Sequence, residues 1–254
     1  MNKIEVNNLN YIINDKKILE RIDLSVSGKK FIGILGPNGS GKTTFLKHIY
    51  RTIPVGSGKI FINDSDINAL SYKDSSKLIT VMKQENQTDF DYTILEMVMM
   101  GRAPHRKFYE KDTYEDFEKA KKALEYVGLH DRMKDSFRLL SGGEKQRVLL
   151  ARSITQDVDF FLLDEPTNNL DLYYQWKIIR LIKNLDKTVI AILHEINLAF
   201  RFCDYIYVIH EGKVHSCGHP DEVITKKMLK EVMKIDADII EKDHHKFVVV
   251  NDTI

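Results

Sequence analysis

The chain has 254 residues and an almost balanced charge, with 38 Lys and Arg against 37 Asp and Glu, a formal net charge of +1. This length allows one large α/β domain or two small ones. The balance excludes a bulk positive field that would draw the protein onto nucleic acid or an acidic membrane. The longest apolar runs fall far short of the ~20 residues that span a bilayer.

The two cysteines and the first residues point to the same compartment. Cys203 and Cys217 show no metal-binding or redox spacing, which indicates a reduced cytosolic protein. The first residues show no basic segment followed by an apolar one, so we expect no secretory signal. Residues 1–30 alternate weakly between apolar and polar, which predicts a small antiparallel sheet. Tyr11 lies within this predicted sheet. By position alone, it is as well interpreted as a half-buried strand residue as a candidate site residue.

Residues 31–50 read as strand, glycine loop and helix. The apolar run Phe31–Leu35 predicts a buried parallel strand, and residues 36–43 spell G-x-x-x-x-G-K-T before a helix. In that context the motif binds phosphate, because glycines let successive N–H groups point at an anion at a helix start. Lys42 would supply charge to the β- and γ-phosphates, and the Thr43 hydroxyl a ligand for Mg²⁺. This stretch does not choose between ATP and GTP.

Two more strands are predicted at residues 59–63 and 78–83, and Gln84 follows the second directly. Ligand groups of a doubly wound sheet lie at strand ends, so Gln84 is a candidate site residue, although such a glutamine is more often an ordinary loop residue. From about residue 89 to 150 the pattern changes from strands to helices, with Thr113 as a predicted helix N-cap.

The segment LSGGE at residues 140–144 precedes a predicted helix. Ser141 and Glu144 match the S-x-x-E capping box. A cap needs no glycine in the first turn, where each glycine costs ~1 kcal/mol relative to Ala. Because bare N–H groups at a helix start attract anions, we expect a second phosphate-binding surface here.

Residues 158–163 predict another buried strand, and it ends in Asp164 and Glu165, which is similar to a Walker B segment. Asp164 would hold Mg²⁺ directly or through water, as in the P-loop class, and Glu165 is placed to polarise a water. Residues 188–193 predict one more buried strand, which ends at His194. These strand-end groups are expected to converge on one sheet edge. Residues 243–245 could bind a metal, but a solvated loop is more typical.

In order and approximate spacing, these motifs resemble those of ATP-binding cassette (ABC) ATPases over nearly the whole chain. The matching segments are the phosphate loop, Gln84, LSGGE with Gln146 and Arg147, FFLLDEP, LD at 170–171, and His194. The resemblance implies an α/β P-loop NTPase (RecA-like) parallel-sheet core with an N-terminal antiparallel β subdomain and an inserted α-helical subdomain. Residues 1–254 would be a single ABC ATPase domain. Residues 1–88 and 151–254 would form its catalytic core, and residues 89–150 the helical subdomain that carries the LSGGE segment, the signature of this family.

The family also implies a head-to-tail dimer, in which each ATP lies between the phosphate loop of one subunit and LSGGE of the other. Tyr11 would stack on adenine, and Gln84 would reach Mg²⁺ and the attacking water. Glu165 would be the general base, His194 would contact the γ-phosphate, and Asp171 would communicate across the dimer. The implied Mg²⁺ ligands are Thr43, Gln84 and Asp164. The implied ATP-binding residues are Tyr11, Gly36, Pro37, Asn38, Gly39, Ser40, Gly41, Lys42, Thr43, Thr44, Ser141, Gly142, Gly143, Glu144 and Asp171.

A closer resemblance runs through residues 100–105, 129–140, 194–204 and 212–225, which look like the ATPases of iron–siderophore, haem and vitamin B12 importers. It implies an ATPase on the inner face of the cell membrane, docked on a polytopic permease and served indirectly by a substrate-binding lipoprotein. No nucleic acid partner is expected. Glu195 stands where many members have Asp, and Asn168 and Asn169 where Ser or Thr is frequent; neither departure is expected to touch the chemistry.

Three alternatives stay open from the sequence. The same kind of ATPase could import zinc, manganese or an amino acid. A non-transport ABC ATPase of DNA repair or of ribosomes would need a long coiled-coil insertion or a second cassette, and the chain shows neither. A regulatory module without turnover would require a broken site, whereas Lys42, Asp164, Glu165 and His194 are all present.

Overall fold

The computed structural model describes residues 2–83, 91–107 and 109–254. The strands are β1 (Lys3–Ile13), β2 (Lys16–Ser27), β3 (Phe31–Leu35), β4 (Ile60–Ile62), β5 (Ser65–Asp66), β6 (Ile79–Met82), β7 (Phe160–Asp164), β8 (Thr188–Ile192), β9 (Tyr205–His210), β10 (Lys213–Gly218), β11 (Ile235–Lys242) and β12 (His245–Thr253). The helices are α1 (Lys42–Ile49), α2 (Tyr72–Ser75), α3 (Ile94–Met99), α4 (Tyr114–Tyr126), α5 (Gly142–Thr155), α6 (Leu172–Lys183), α7 (Ile196–Phe202), α8 (Pro220–Val223) and α9 (Lys226–Glu231).

The chain divides into two compact units. The first unit joins Met1–Ala69 to Asp186–Ile254, and the second is Leu70–Leu185. The second unit contains β6 and β7 as well as α2 to α6. The boundaries of a helical subdomain at residues 89 and 150 stay a prediction.

The first unit contains the predicted N-terminal antiparallel sheet, with strand order β2-β1-β4-β5. Beside it in the same unit, strands run in the order β10-β9-β3-β8. Strand β3 is buried at every residue and pairs in parallel with both β8 and β9. Because parallel strands end at the same edge, the segments that follow β3 and β8 emerge together.

In the second unit, β6 pairs in parallel with β7, with Met82 beside Leu163. Helices α3 and α4 pack on α5. Helix α4 begins at Thr113, whose side chain caps it as predicted, in a capping box with Asp116. In the part of the chain that the structure describes, no helix combines the length and the apolar character needed to cross a bilayer.

The C-terminal part of the first unit differs from the prediction. The solvated loop expected at residues 243–245 is instead the turn of an unpredicted hairpin, β11–β12, which follows helices α8 and α9. Asp243 and His244 form its tip with φ of 51° and 60°, and they lack the Asn-Gly or Asp-Gly signature of such turns. Asn197 fixes the hairpin to α7 through two hydrogen bonds with the backbone of Val248. No group of three or more His, Cys, Asp or Glu could hold a metal ion within the described ranges.

Candidate nucleotide site

The phosphate loop leaves the end of β3 in a conformation that only glycine fits. Gly36 and Gly41 have φ of 147° and 102°. A Cβ on Gly36 would lie 2.0 Å from the carbonyl oxygen of Ile209, and one on Gly41 would lie 2.8 Å from Leu19 Cδ2. The loop is therefore packed between the end of β9 and strand β2, where a side chain on either glycine would open it.

Lys42 lies inside the curl of this loop. Its ammonium donates to the carbonyl oxygens of Gly36 and Pro37, both at 2.8 Å, and the side chain is buried. Ser40 Oγ is also buried and, among the described residues, has no hydrogen-bond partner. Helix α1 begins at Lys42 without a side-chain cap and without an acidic residue in its first turn. A buried ammonium, an unsatisfied hydroxyl and uncapped N–H groups together suit an anion.

The turn between β9 and β10 supports the loop from behind. Gly212 N donates to Ser40 O at 3.2 Å, and Gly212 O accepts from Glu20 N at 2.7 Å. Gly212 thus ties the phosphate loop to β2. Nothing in the local sequence marks these long-range partners of Gly212.

His194 follows β8 at the same edge as the phosphate loop. Ile192 pairs with Ile34, and Leu193 N donates to Ile34 O at 3.2 Å. His194 itself is exposed. The predicted convergence of these two segments is therefore confirmed within the first unit, while the role of His194 stays a prediction.

Tyr11 contacts a residue that the sequence pattern does not single out, His48 of α1. The two ring centroids are 4.7 Å apart, with an interplanar angle of 76°. His48 is buried, and its Nδ1 lies 2.8 Å from the carbonyl oxygen of Thr44. Burial lowers the pKa of His48, partly offset by that hydrogen bond, so the ring is neutral at pH 7.

The acidic pair ends β7 in the second unit. Asp164 is the last residue of the strand, and the backbone of Glu165 has a left-handed conformation, with φ of 54°. Asn168 Nδ2 donates to Glu165 Oε2 at 3.2 Å. Asn168 therefore hydrogen-bonds the carboxylate that is predicted to act as base, and the expectation that it would not touch the chemistry stays a prediction. Gln84, predicted to lie nearby after β6, falls outside the described residues.

The signature segment forms the capping box that its sequence predicts. Glu144 Oε2 accepts from the backbone N and the hydroxyl of Ser141, at 2.9 and 2.8 Å. Arg132 pairs with Glu144 and also with Asp135, the latter at 2.7 Å. The backbone N–H of Ser141, its hydroxyl and Arg132 hold the pKa of Glu144 below its usual range, against the effect of burial. Helix α5 therefore begins beside an ionised carboxylate, and Arg132, which the motif does not reveal, balances its charge.

The second glycine of the signature is needed for packing. A Cβ on Gly143 would lie 2.6 Å from Tyr174 Cγ, whereas the nearest atom to a Cβ on Gly142 would be Leu170 Cδ2 at 3.8 Å. Tyr174 N donates to Asp171 Oδ1 at 3.0 Å, which makes Asp171 the N-cap of α6. Tyr174 thus links the start of α5 to the segment around Asp171.

Family comparison agrees with these motifs. The family model described as "ABC transporter" matches residues 19–168, more than half of the chain. The chain belongs to the ABC transporter family. It is 34% identical to the petrobactin import ATP-binding protein YclP of Bacillus subtilis, over 97% of this chain and 98% of that protein. It is 35% identical to the hemin import ATP-binding protein HmuV of Pseudoalteromonas translucida, over 91% of this chain and 92% of that protein.

Solved ABC structures share the fold. An ATP-binding cassette of an ABC transporter in its ADP conformation superposes with a TM-score of 0.79 at 23% identity, covering 88% of this chain and 95% of that one. A dimeric bacterial ABC transporter cassette gives 0.74 at 28% identity, covering 85% and 98%. The predicted α/β P-loop NTPase fold is confirmed. The predicted ATPase activity is that of the family, whose members bind and hydrolyse ATP.

Proposed function

We propose that this ABC ATPase energises the import of a ferric siderophore, haem or a corrinoid. Relatives named for petrobactin and hemin import, at 34% and 35% identity over nearly the whole chain, support this class of cargo. Since the two identities are almost equal, they favour the class over one compound. The chain would act at the cytoplasmic face of the membrane, as a dimer docked on a polytopic permease, with a substrate-binding lipoprotein delivering the cargo.

In the proposed site, ATP lies over the phosphate loop with its adenine against Tyr11. Glu165, oriented by Asn168, takes a proton from the attacking water, and His194 contacts the γ-phosphate. Residues 36–44 contact the phosphates, and Gln84 would reach the attacking water. The Thr43 hydroxyl, the Gln84 amide oxygen and the Asp164 carboxylate are the oxygen donors that suit Mg²⁺. Bound Mg²⁺ would neutralise phosphate charge.

The proposal of a shared site is carried by one observation: a single chain has two helix starts with glycines at or next to the first turn, at Lys42 and at Gly142, and they are built differently. One lies in the phosphate loop, where Lys42 is held between backbone carbonyls. The other is the start of α5 at Ser141, Gly142 and Gly143, which belongs to the unit that lacks the phosphate loop. In a head-to-tail dimer, the second helix start of one subunit would meet the nucleotide at the first helix start of the other. We assign the second helix start to a helical subdomain at residues 89–150, and the catalytic core to residues 1–88 and 151–254.

Mixing two inactive variants tests the shared site. Lys42→Ala disables the phosphate loop, and Ser141→Arg blocks the signature with a bulky cation. If each site uses both subunits, a mixed dimer keeps one intact site, and an equimolar mixture regains up to about a quarter of the parental ATPase rate. Each variant alone is the control and should be inactive. A mixture that stays inactive, or Ser141→Arg turning over at the parental rate, would contradict the shared site.

Uptake measurements test the cargo. A strain lacking this chain should fail to grow when a ferric siderophore, haem or cobalamin is the growth-limiting nutrient. The parental chain should restore growth on one of these three. A Glu165→Gln copy should not restore it. Restored uptake of zinc, manganese or an amino acid instead would refute the proposed cargo while leaving the ATPase intact.

A further inference from the structure

The platform proposed for the adenine is held by two contacts to the phosphate-binding segment. The first is through the strands: Tyr11 pairs with Leu19 of β2, at a point where the register of β1 shifts on both sides of Tyr11. Leu19 packs against the loop, because its Cδ2 occupies the space next to Gly41. Bulges of this kind re-aim side chains near functional sites.

The second contact is the ring of His48. It lies edge-to-face or nearly so with Tyr11, the preferred geometry for an aromatic pair. The Thr44 carbonyl oxygen can only accept a hydrogen bond, so Nδ1 of His48 carries the hydrogen. That bond fixes the rotation of the His48 ring, and burial leaves it little room to move.

Helix α1 connects the phosphate loop to His48. It begins at Lys42, inside the phosphate loop, and reaches His48 six residues later, a rise of about 9 Å. We infer that His48 is a positioning residue that orients Tyr11 for stacking on the base of the nucleotide, so that α1 fixes the spacing between base and phosphates. A ring held in place before binding loses less freedom when the base arrives, which strengthens binding. This inference rests on the proposed ATP site.

Two matched substitutions separate the ring from its hydrogen bond. His48→Leu and His48→Phe both fill the buried space and both lose the Nδ1–H donor, but only Phe keeps an aromatic ring. Binding of ATP and of inorganic tripolyphosphate is measured by calorimetry for each, because tripolyphosphate tests the loop without the base. We expect His48→Leu to weaken ATP binding about three- to tenfold, to leave tripolyphosphate binding unchanged, and His48→Phe to bind ATP like the parent.

A Tyr11→Leu background completes the test. There, His48→Leu should cause no further loss of ATP affinity, because no ring remains to be oriented. Ile49→Ala, a buried change on the same helix, is the control for a general loss of packing and should leave the ratio of the two affinities unchanged.

The inference is overturned if His48→Leu weakens ATP and tripolyphosphate equally, if it weakens neither, or if His48→Phe binds ATP as weakly as His48→Leu. Equal weakening would mean that His48 acts only through the fold of α1. A parental chain that binds tripolyphosphate but not ATP would overturn the proposed ATP site as well, and that result is visible before any variant is compared.

Discussion

Asp116 is a buried carboxylate that depends on its neighbours to stay ionised. Burial raises its pKa, but hydrogen bonds from Arg102 and from the backbone and hydroxyl of Thr113 outweigh this and lower it to about 2. The Arg102 Nε to Asp116 Oδ1 distance is 2.7 Å, and both side chains are less than a tenth exposed. Arg102 also donates to the carbonyl oxygen of Thr155 at the end of α5. One residue therefore fastens the start of α4 to the end of the signature helix.

We predict that Asp116→Asn lowers the free energy of unfolding by about 3 kcal/mol at pH 7, because it leaves a buried guanidinium without its anion. Since the native pKa lies below the ordinary 3.8, the stabilisation is complete above pH 4 and is lost as the pH falls toward 2. Urea unfolding from pH 8 to pH 3 should show a constant difference between parent and variant down to about pH 4, and a narrowing one below it.

Glu118→Gln on the same helix is the matched control. Glu118 pairs with Lys121 at 2.8 Å, but both side chains are at least a third exposed, and exposed pairs contribute little. Equal destabilisation by the two substitutions would show that burial does not decide the strength of the Arg102–Asp116 pair.

At the level of elements, the signature helix is anchored by what packs on its first turn. Tyr174 occupies the space beside Gly143 and leaves Gly142 open. Substitution of the two adjacent glycines, which are equivalent in the motif, should therefore change stability differently. Gly143→Ala forces the ring of Tyr174 to move and should cost about 1–3 kcal/mol. Gly142→Ala adds a better helix former in open space and should leave stability equal or slightly higher.

Thermal unfolding of the two variants checks this. Tyr174→Ala supplies the second test: in that background Gly143→Ala should no longer destabilise, because the ring that it meets is absent. Equal losses at both glycines, with no rescue by Tyr174→Ala, would contradict the packing role assigned to Tyr174.

The sequence predicts an element well when the residues that define that element are adjacent in the chain. The β3–loop–α1 segment and the caps at Thr113 and Ser141 were predictable, because each is defined by a short run of adjacent residues. His48 was not, since its partner Tyr11 lies 37 positions away and a buried histidine on a helix has many explanations. The β11–β12 hairpin was missed because its turn residues, Asp243 and His244, carry no glycine.

Site residues divide in the same way. The spacing of motifs identified the carboxylates and the phosphate loop, which are proposed to carry the chemistry, but not the groups that contact them. Asn168 reaches Glu165 within one turn, yet only the fold decides whether its amide points toward that carboxylate. Arg132 lies twelve residues before Glu144, beyond the reach of any local pattern. Supporting contacts depend on geometry that the chain acquires only on folding.

For the whole molecule, the proposed shared site requires two copies of the chain to stay together while ATP is bound between them. Glu165→Gln keeps the phosphate loop but removes the base, so ATP hydrolysis should fall about a hundredfold or more. The variant should then accumulate as an ATP-bound dimer. Light scattering after size exclusion should show the mass doubling with ATP and returning to that of one chain with ADP.

Glu241→Gln, an exposed change on β11, is the control and should hydrolyse ATP at the parental rate without an accumulated dimer. Hydrolysis by Glu165→Gln at the parental rate would refute the general-base role. Binding of ATP without any change in mass would instead refute the nucleotide-dependent dimer.

The neighbours of β3 determine when the phosphate loop can fold during synthesis of the chain. In the described structure β3 pairs with β8 and β9, whose residues start at Thr188 and Tyr205, and the loop after it is tied to Gly212. A growing chain therefore carries the phosphate-loop sequence for some 150 residues before either flanking strand exists, and contacts so distant in sequence form slowly. The phosphate loop, although encoded near the beginning, can therefore reach its packed conformation only after most of the chain has been made.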